Sequence, residues 1–122
     1  METKTKKQLK DEYKQMKFKA GVFVIRNTVN NKIFLGSSVN LDAIWNRHRL
    51  QLNFGSHPAA ELLKDWKELG EDKFKFEIIS EIKQNDEMND KDIADEVKAL
   101  ERLYLDELKP YGDKGYNKPE KL

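Results

Sequence analysis

Two short runs of β-branched and aromatic residues lie close together near the start of the chain. "AGVFVIRN" is followed, after "TVNN", by "KIFLGSS". Two such runs joined by an Asn-containing turn predict a β-hairpin. A hairpin alone is marginally stable in water, so this one needs further strands or covering helices. It therefore predicts a small sheet with helices packed on it.

Helical spacing begins directly after the hairpin. Ser38 or Asn40 can cap the first helix. Pro58 suits the first turn of a second helix, and Gly70 is suited to end it. The apolar and ring-bearing positions recur three or four residues apart in both segments. They are Leu41, Ile44, Trp45, His48 and Leu52, followed by Leu62, Leu63, Trp66 and Leu69.

A third strand and a long final helix complete the predicted elements. "KFKFEIIS" alternates charged residues with Phe74, Phe76 and Ile78, which predicts a strand with one wet face. An acidic loop at 84–92 leads into "DIADEVKALERLYLDEL", and Pro110 ends that helix. The stripe of this helix is Ile93, Val97, Leu100, Tyr104 and Leu108.

The predicted order of elements is α-ββ-α-α-β-α, an α+β domain with a small three-stranded antiparallel sheet flanked by helices. A lysine-rich segment with helical spacing over residues 4–17 precedes the hairpin. We therefore expect a basic N-terminal helical arm at 1–19, one domain at 20–118 and a tail at 119–122. A chain of 122 residues is of a size for one core.

Composition excludes several classes of site. The chain has no cysteine, so disulfides, cysteine-ligated metals and cysteine nucleophiles are excluded. Two histidines are too few for a histidine-rich metal site. No apolar run reaches the ~20 residues of a membrane span, so we expect no membrane association and a cytoplasmic protein. The net charge is only +1, with the lysines concentrated in the arm.

General catalytic motifs are missing as well. The chain has no phosphate-binding loop, no dinucleotide fingerprint and no His-Glu-x-x-His helix. A Ser-His-Asp set can be drawn from Ser37, His48 and many acids, but their spacing does not recommend it.

The segments in this order resemble the GIY-YIG nuclease superfamily from about Gly21 to Asn117. "GVF" stands where the family has Gly-Ile-Tyr, and "FLG" stands where it has Tyr-Ile-Gly. "SSVNLDAIWNRH" is similar to the family's first helix, and "FGSHPAAELLKDWKELGEDKFKFEII" to its middle section. "LERLYLDELKPYGDKGYN" resembles its last helix and Asn-bearing tail. The resemblance implies metal-dependent hydrolysis of nucleic-acid phosphodiesters.

The resemblance also assigns roles to residues, and three positions lack the expected chemistry. Phe23 and Phe34 replace the two tyrosines, and Ile44 replaces the phosphate-binding arginine. The resemblance makes Glu101 the metal ligand, for Mg²⁺ or Mn²⁺ if the site is active. His48 and Asn117 remain as candidate catalytic residues, and Gly21 and Gly36 retain the hairpin glycines.

Each retained residue also has a purely structural interpretation. His48 is on the helix face of Ile44, so it suits a half-buried, hydrogen-bonded position. Glu101 suits either a cleft or pairing with Lys98 or Arg102, and Asn117 suits a clamp on the tail. The two tryptophans belong to apolar stripes and are expected in the core. His48, Tyr104, Tyr111 and Tyr116 are candidates to supply a missing polar group.

The sequence therefore favours a catalytically degenerate nuclease-like domain kept for nucleic-acid binding or as an interaction module. The alternatives are a divalent-metal-dependent endonuclease with a rewired site and a protein-interaction domain with no nucleic-acid role. DNA is favoured over RNA, and a homodimer or a protein partner stays open. Binding would be electrostatic and salt-dependent. The candidate contacts are Lys19, Lys32, Arg47 and Arg49.

Overall fold

The structure, a computed structural model, describes residues 18–119. The predicted helix at 4–17, most of the arm and the last three residues of the tail lie outside the described residues. Within them, the elements follow the predicted order. They are β1 (Gly21–Asn27), β2 (Ile33–Ser38), α1 (Leu41–Phe54), α2 (Ala60–Leu69), β3 (Phe74–Glu81) and α3 (Asp90–Leu108). Single 3₁₀ turns lie at Glu71–Lys73 and Gly112–Lys114.

β1 is the central strand of a three-stranded antiparallel sheet in the order β2-β1-β3. The hairpin turn is held by Asn27, whose backbone N–H donates to the carbonyl of Lys32 over 2.9 Å. Asn31 adopts a left-handed φ of 64°, a conformation that asparagine tolerates in turns. The predicted hairpin and its Asn-containing turn are confirmed.

Helices cover both faces of the sheet, so β1 is buried almost throughout. On one face, Phe23 and Ile25 pack with α1 and α2 in a cluster that also holds Trp66 and Tyr116. On the other face, the side chains pack against Leu100, Tyr104 and Leu105 of α3. Members from the strands on this second face are Val22, Val24, Ile33, Leu35 and Ile79. Only 38% of the residues are hydrophobic. Because both faces of the sheet are covered by helices, the side chains of β1 contribute to a core on each side.

The third strand departs from the predicted alternation at its end. β1 residues Val22 and Phe23 pair with Ser80 and Ile78, so one extra β3 residue is accommodated between them. Alternation from Glu77 places Ile79 on the α3 face, and the bulge brings Ser80 opposite Val22 of that same face, while Ile78 is exposed. Ile78 pairs with Phe23 on the face of Phe74 and Phe76, as the alternation predicts, but it is exposed near the end of this edge strand.

Three further predictions about the helices need correction. α2 begins at Ala60, after Pro58, and no side chain caps it. α3 begins at Asp90, inside the predicted loop, because Asn89 and Asp92 form a reciprocal capping box. Leu105 packs on the sheet in place of Leu108, which is exposed. Among residues 18–119, no helix combines the length and apolar character needed to cross a bilayer.

Candidate nucleic-acid site

Four consecutive residues of β2, an edge strand, contact predicted site residues on the two faces and at the edge of the sheet. Phe34 contacts the ring of His48, with centroids 5.6 Å apart. Leu35 is hydrogen-bonded through its backbone to Asn117. Gly36 lies beneath the ring of Phe23, and Ser37 bonds Glu101. The segment from Phe34 to Ser37 is called the β2 site segment below.

Phe23 and Phe34 enter an apolar environment on the α1 face. Phe23 is only 1% exposed, and its ring contacts Phe76 and His48 at centroid distances of 5.1 and 5.4 Å. Phe34 and Ile44 are partly buried and pack against the same cluster. The three positions at which the resemblance predicts polar groups therefore all pack against the same cluster of apolar and aromatic side chains.

His48 is hydrogen-bonded to a second histidine. Its Nδ1 lies 2.8 Å from Nε2 of His57, which follows α1 in the loop before α2. His57 is 5% exposed, and its Nδ1 accepts the backbone N–H of Ala59 over 3.0 Å. The edge of Phe34 contacts the His57 ring as well. His48 is thus the expected half-buried residue, and its partner is another imidazole.

Burial of the pair favours uncharged rings. Desolvation by burial, followed by the charges of His57 and Arg47, lowers the pKa of His48 from 6.5 to about 4. Desolvation also lowers the pKa of His57. Both imidazoles are therefore neutral near pH 7, and each carries one ring N–H.

Acid is expected to destabilise the fold before its carboxylates protonate. The unfolded His48 ring binds a proton near pH 6.5, whereas the folded ring stays neutral down to about pH 4. The unfolded state therefore binds more protons in this window, and the free energy of unfolding falls as pH drops through it. We expect a loss of about 1 kcal/mol between pH 7 and 5, after discounting for partial exposure of the ring.

Urea unfolding at pH 7, 6 and 5 measures this loss. The matched variant His48→Gln has no titrating group at the position, so its stability should depend less on pH. An equally steep fall in His48→Gln would contradict the assignment to His48.

Glu101 lies on the opposite face of β2 from the histidines. The hydroxyl of Ser37 and the ammonium of Lys98, at 3.3 Å, both donate to its Oε2. Among residues 18–119, Oε1 of Glu101 makes no hydrogen bond and is not buried. Glu101 therefore combines the two expected arrangements, since it pairs with Lys98 and also keeps one oxygen open.

The open oxygen fits the chemistry of a hard divalent cation. Mg²⁺ prefers carboxylate oxygen, and it commonly keeps several waters beside one or two protein carboxylates. Among residues 18–119, no three histidine or acidic side chains are grouped so as to hold a metal ion, so Glu101 is not part of a larger ligand cluster. Glu101 is one of the residues that line a cavity of about 360 Å³. The lining residues are Lys98, Ala99, Glu101, Arg102 and Leu105.

Asn117 joins the chain end to the sheet with both halves of its amide. Its Oδ1 accepts the N–H of Leu35, and its Nδ2 donates to the carbonyl of Leu35, each over 2.8 Å. Nearby, Gly115 forms a parallel bridge with Ile33. Asn117 thus supports the edge of β2 between Phe34 and Gly36.

Replacing Asn117 is expected to destabilise the domain. Asn117→Ala removes two hydrogen bonds of about 1 kcal/mol each and leaves the Leu35 backbone groups to water, so we expect a loss of about 1–3 kcal/mol. Chemical denaturation measures it, with the exposed neighbour variant Lys118→Ala as the control. Equal stability of the two variants would contradict the clamp.

The four candidate nucleic-acid-binding cations differ in whether their side chains already contact other residues. Arg49 pairs with Glu71 at 3.1 Å and lies 5.8 Å from the Trp45 ring. Lys32 lies 5.7 Å from the ring of Tyr116. Lys19 and Arg47 are exposed. Arg47 is near enough to His48 to influence its pKa, so it is the candidate cation beside the histidine pair.

Two of the three candidate tyrosines, Tyr116 and Tyr104, pack against the core clusters. Tyr116 donates to Asp65 over 2.6 Å and accepts from Asn27 over 3.0 Å. Burial, together with the hydrogen bond to Asp65, raises the pKa of Tyr116 to about 12. Tyr104 packs against the second cluster. That cluster includes Leu35 of the β2 site segment, so Tyr104 meets the segment through apolar packing.

Sequence reasoning missed His57 and the role of Ser37. His57 stands in a predicted break, and the only signal was that the chain has just two histidines. Ser37 was considered only beside His48, but it faces α3 and bonds Glu101. The Ser-His-Asp arrangement is therefore not formed by these residues.

Comparison with known proteins places this geometry in context. The family model described as the GIY-YIG catalytic domain matches residues 19–117. Intron-associated endonuclease 1 of Enterobacteria phage T4 is 34% identical over 64 residues, which is 52% of this chain. The aligned part is 26% of that relative, so the chain spans about a quarter of its length.

Two solved structures share the fold. The catalytic domain of homing endonuclease I-TevI superposes with a TM-score of 0.67 at 28% identity, covering 83% of this chain and 99% of that chain. A mutant form of the catalytic domain of intron endonuclease I-TevI gives the same TM-score and identity, with coverages of 82% and 93%.

Proposed function

This chain belongs to the GIY-YIG family, and from that premise we propose that it binds DNA with the family scaffold and cleaves it poorly. The observation that carries the proposal is the apolar packing of Phe23, Phe34 and Ile44. These are the positions at which the family resemblance expects two hydroxyls and a guanidinium. Their replacement removes a route for proton transfer and a charge that stabilises phosphate in the transition state.

The expected catalytic loss is large. General acid–base groups contribute about 10²–10⁴-fold, and a donor directed at developing charge contributes about 10²–10³-fold. These effects are not additive, so the combined loss is less than their product. The neutral His48 hydrogen-bonds to His57 through Nδ1, so that nitrogen does not act as the missing base.

Binding is proposed to use the cationic surface beside the β2 site segment. Arg47 is exposed on α1 next to His48, and Lys32 lies at the hairpin turn. The relatives named above are endonucleases, whose function requires contact with nucleic acid. Phosphate contacts of this kind release counterions, which makes the affinity depend on salt. The basic arm at 1–19 is proposed to add to the same attraction.

A working metal-dependent endonuclease is the second candidate, and Glu101 favours it. Glu101 lines a cavity, and its Oε1 makes no hydrogen bond among residues 18–119. Mg²⁺ or Mn²⁺ bound there would polarise a phosphoryl oxygen or acidify a bound water. Lys98 bonds the other oxygen of Glu101, and its side chain is 76% exposed and able to move away from a bound cation.

Binding and cleavage assays separate these functions. Fluorescence anisotropy with duplex DNA, single-stranded DNA and RNA gives affinities over a salt series. We expect Arg47→Ala to lower the slope of log K against log salt by about 0.9. Arg49→Ala is the matched control, because Arg49 is held by Glu71 and should change the slope less.

Cleavage is measured on plasmid with Mg²⁺ or Mn²⁺, for the wild type and Glu101→Ala. Binding without cleavage supports the proposal. Cleavage that disappears in Glu101→Ala would establish the second candidate. If the folded protein shows no binding and no cleavage, both proposed functions are overturned. A protein-interaction domain, alone or as a homodimer, is then left.

A further inference from the structure

A continuous chain of hydrogen bonds runs from the start of α2 to the surface of α1. It passes from the backbone N–H of Ala59 through His57 to His48. We propose that His57 is a positioning residue that fixes the tautomer of His48, so that the Nε2–H of His48 donates to a phosphodiester oxygen of bound DNA. This inference rests on the proposed function for its ligand, and the assignment of the protons rests on the geometry alone.

The protons are placed by the direction of each bond. A backbone N–H only donates, so Nδ1 of His57 carries a lone pair. The proton of the neutral His57 ring is therefore on Nε2, which lies 2.8 Å from Nδ1 of His48. Nδ1 of His48 accepts this proton, and the one N–H of His48 is consequently on Nε2.

Nε2 of His48 is available to a ligand. Among the described residues it makes no hydrogen bond, and no buried side-chain nitrogen or oxygen there lacks a partner. The atom therefore reaches solvent. A fixed N–H beside the exposed guanidinium of Arg47 is complementary to an anionic oxygen.

The groups around His48 keep this donor neutral. β1 presents Phe23 and β2 presents Phe34, neither of which carries a charge. The loop before α2 presents His57, and α1 itself presents Arg47. No carboxylate is among the groups that influence the His48 pKa. The contact is therefore expected to change little between pH 6 and 8, unlike a contact made by a protonated histidine.

Nitrogen NMR of the two histidine rings tests the tautomers directly, because the chain has only two. We expect both rings to carry their proton on Nε2 at pH 7. A scalar coupling between His57 Nε2 and His48 Nδ1, transmitted across the hydrogen bond, is expected as well. A proton on Nδ1 of either ring, or no coupling with both rings resolved, would overturn the proposal.

Affinity for a DNA duplex tests the consequence. His57→Leu removes the donor to His48, whereas His57→Gln keeps a side-chain N–H, and both are compared at matched folded fractions. We expect His57→Leu to weaken binding about fivefold to tenfold, as loss of one such hydrogen bond implies, and His57→Gln to restore most of it.

A double-mutant cycle separates positioning from general packing. In a His48→Ala background, His57→Leu should cost no further affinity, because the donor that it positions is already gone. An equal loss in both backgrounds would overturn the positioning role. Failure of the wild type to bind any duplex, with the ring coupling present, would overturn the proposed function and the phosphate contact but leave the proton assignment supported.

Discussion

Restoring the three missing polar groups is expected to raise the rate of DNA cleavage by at least about 10²-fold. The variant is Phe23→Tyr/Phe34→Tyr/Ile44→Arg, assayed on plasmid with Mg²⁺. Each change adds a functional group at a position where the family resemblance expects one. The lower bound of about 10²-fold is the rate gain expected from a single general acid–base or charge-stabilising group. We use one group only, because the gains from several groups are not additive.

Packing decides which of the three changes the fold accepts. Phe34 and Ile44 are partly buried, so a hydroxyl or a guanidinium at these positions can reach water. Phe23 is almost wholly buried, and its new hydroxyl must find a partner or cost about 1–3 kcal/mol. The double variant Phe34→Tyr/Ile44→Arg is therefore included, and thermal unfolding of every variant is measured beside its activity.

Two controls make the result specific. Phe54→Tyr adds a hydroxyl to an 82% exposed ring on α1 and should leave cleavage unchanged. Adding Glu101→Ala to the restored variant should abolish the gain, if the carboxylate holds the metal. Folded restored protein that is no faster than the wild type would contradict the explanation based on lost chemistry.

Turns, helix ends and the buried faces of helices depend on nearby residues, and these features were predictable from the sequence. Asn31 adopts a left-handed φ within the predicted hairpin turn, and Gly70 ends α2 as expected. Trp45 and Trp66 meet in the core, with ring centroids 6.4 Å apart, because helical periodicity marks a buried face. The resemblance supplied the site positions, which periodicity alone does not.

The features that depend on tertiary contact were not predictable. The bulge at Ile79 follows from how β3 pairs with β1, and nothing in "FEIIS" marks it. The bond between His48 and His57 joins residues nine positions apart across a helix end, where no periodicity applies. Glu101 was ambiguous for the same reason, since its partner Ser37 lies 64 residues away.

Replacing Gly21 by alanine is expected to be the most destabilising small substitution in the sheet. A Cβ at Gly21 would lie 2.0 Å from the backbone oxygen of Ser80 and 2.8 Å from Cα of Glu81. Relief requires β3 to move away from β1 next to its bulge, where Ile82 also bonds the carbonyl of Ala20. We expect a loss above the ~1–3 kcal/mol typical of overpacking, measured by urea unfolding.

Gly36→Ala is the matched comparison, because its Cβ meets a side chain instead of backbone. The nearest atom is Cζ of Phe23 at 2.7 Å, and that ring can shift. We expect a smaller loss for Gly36→Ala, and a smaller one still in a Phe23→Leu background, where the ring is gone. Equal costs for the two glycine variants would contradict the backbone argument. If the costs differ as expected, the two glycines are required by the fold itself. Phe23 and Phe34 then supply the same ring packing as tyrosines would, without the hydroxyl groups.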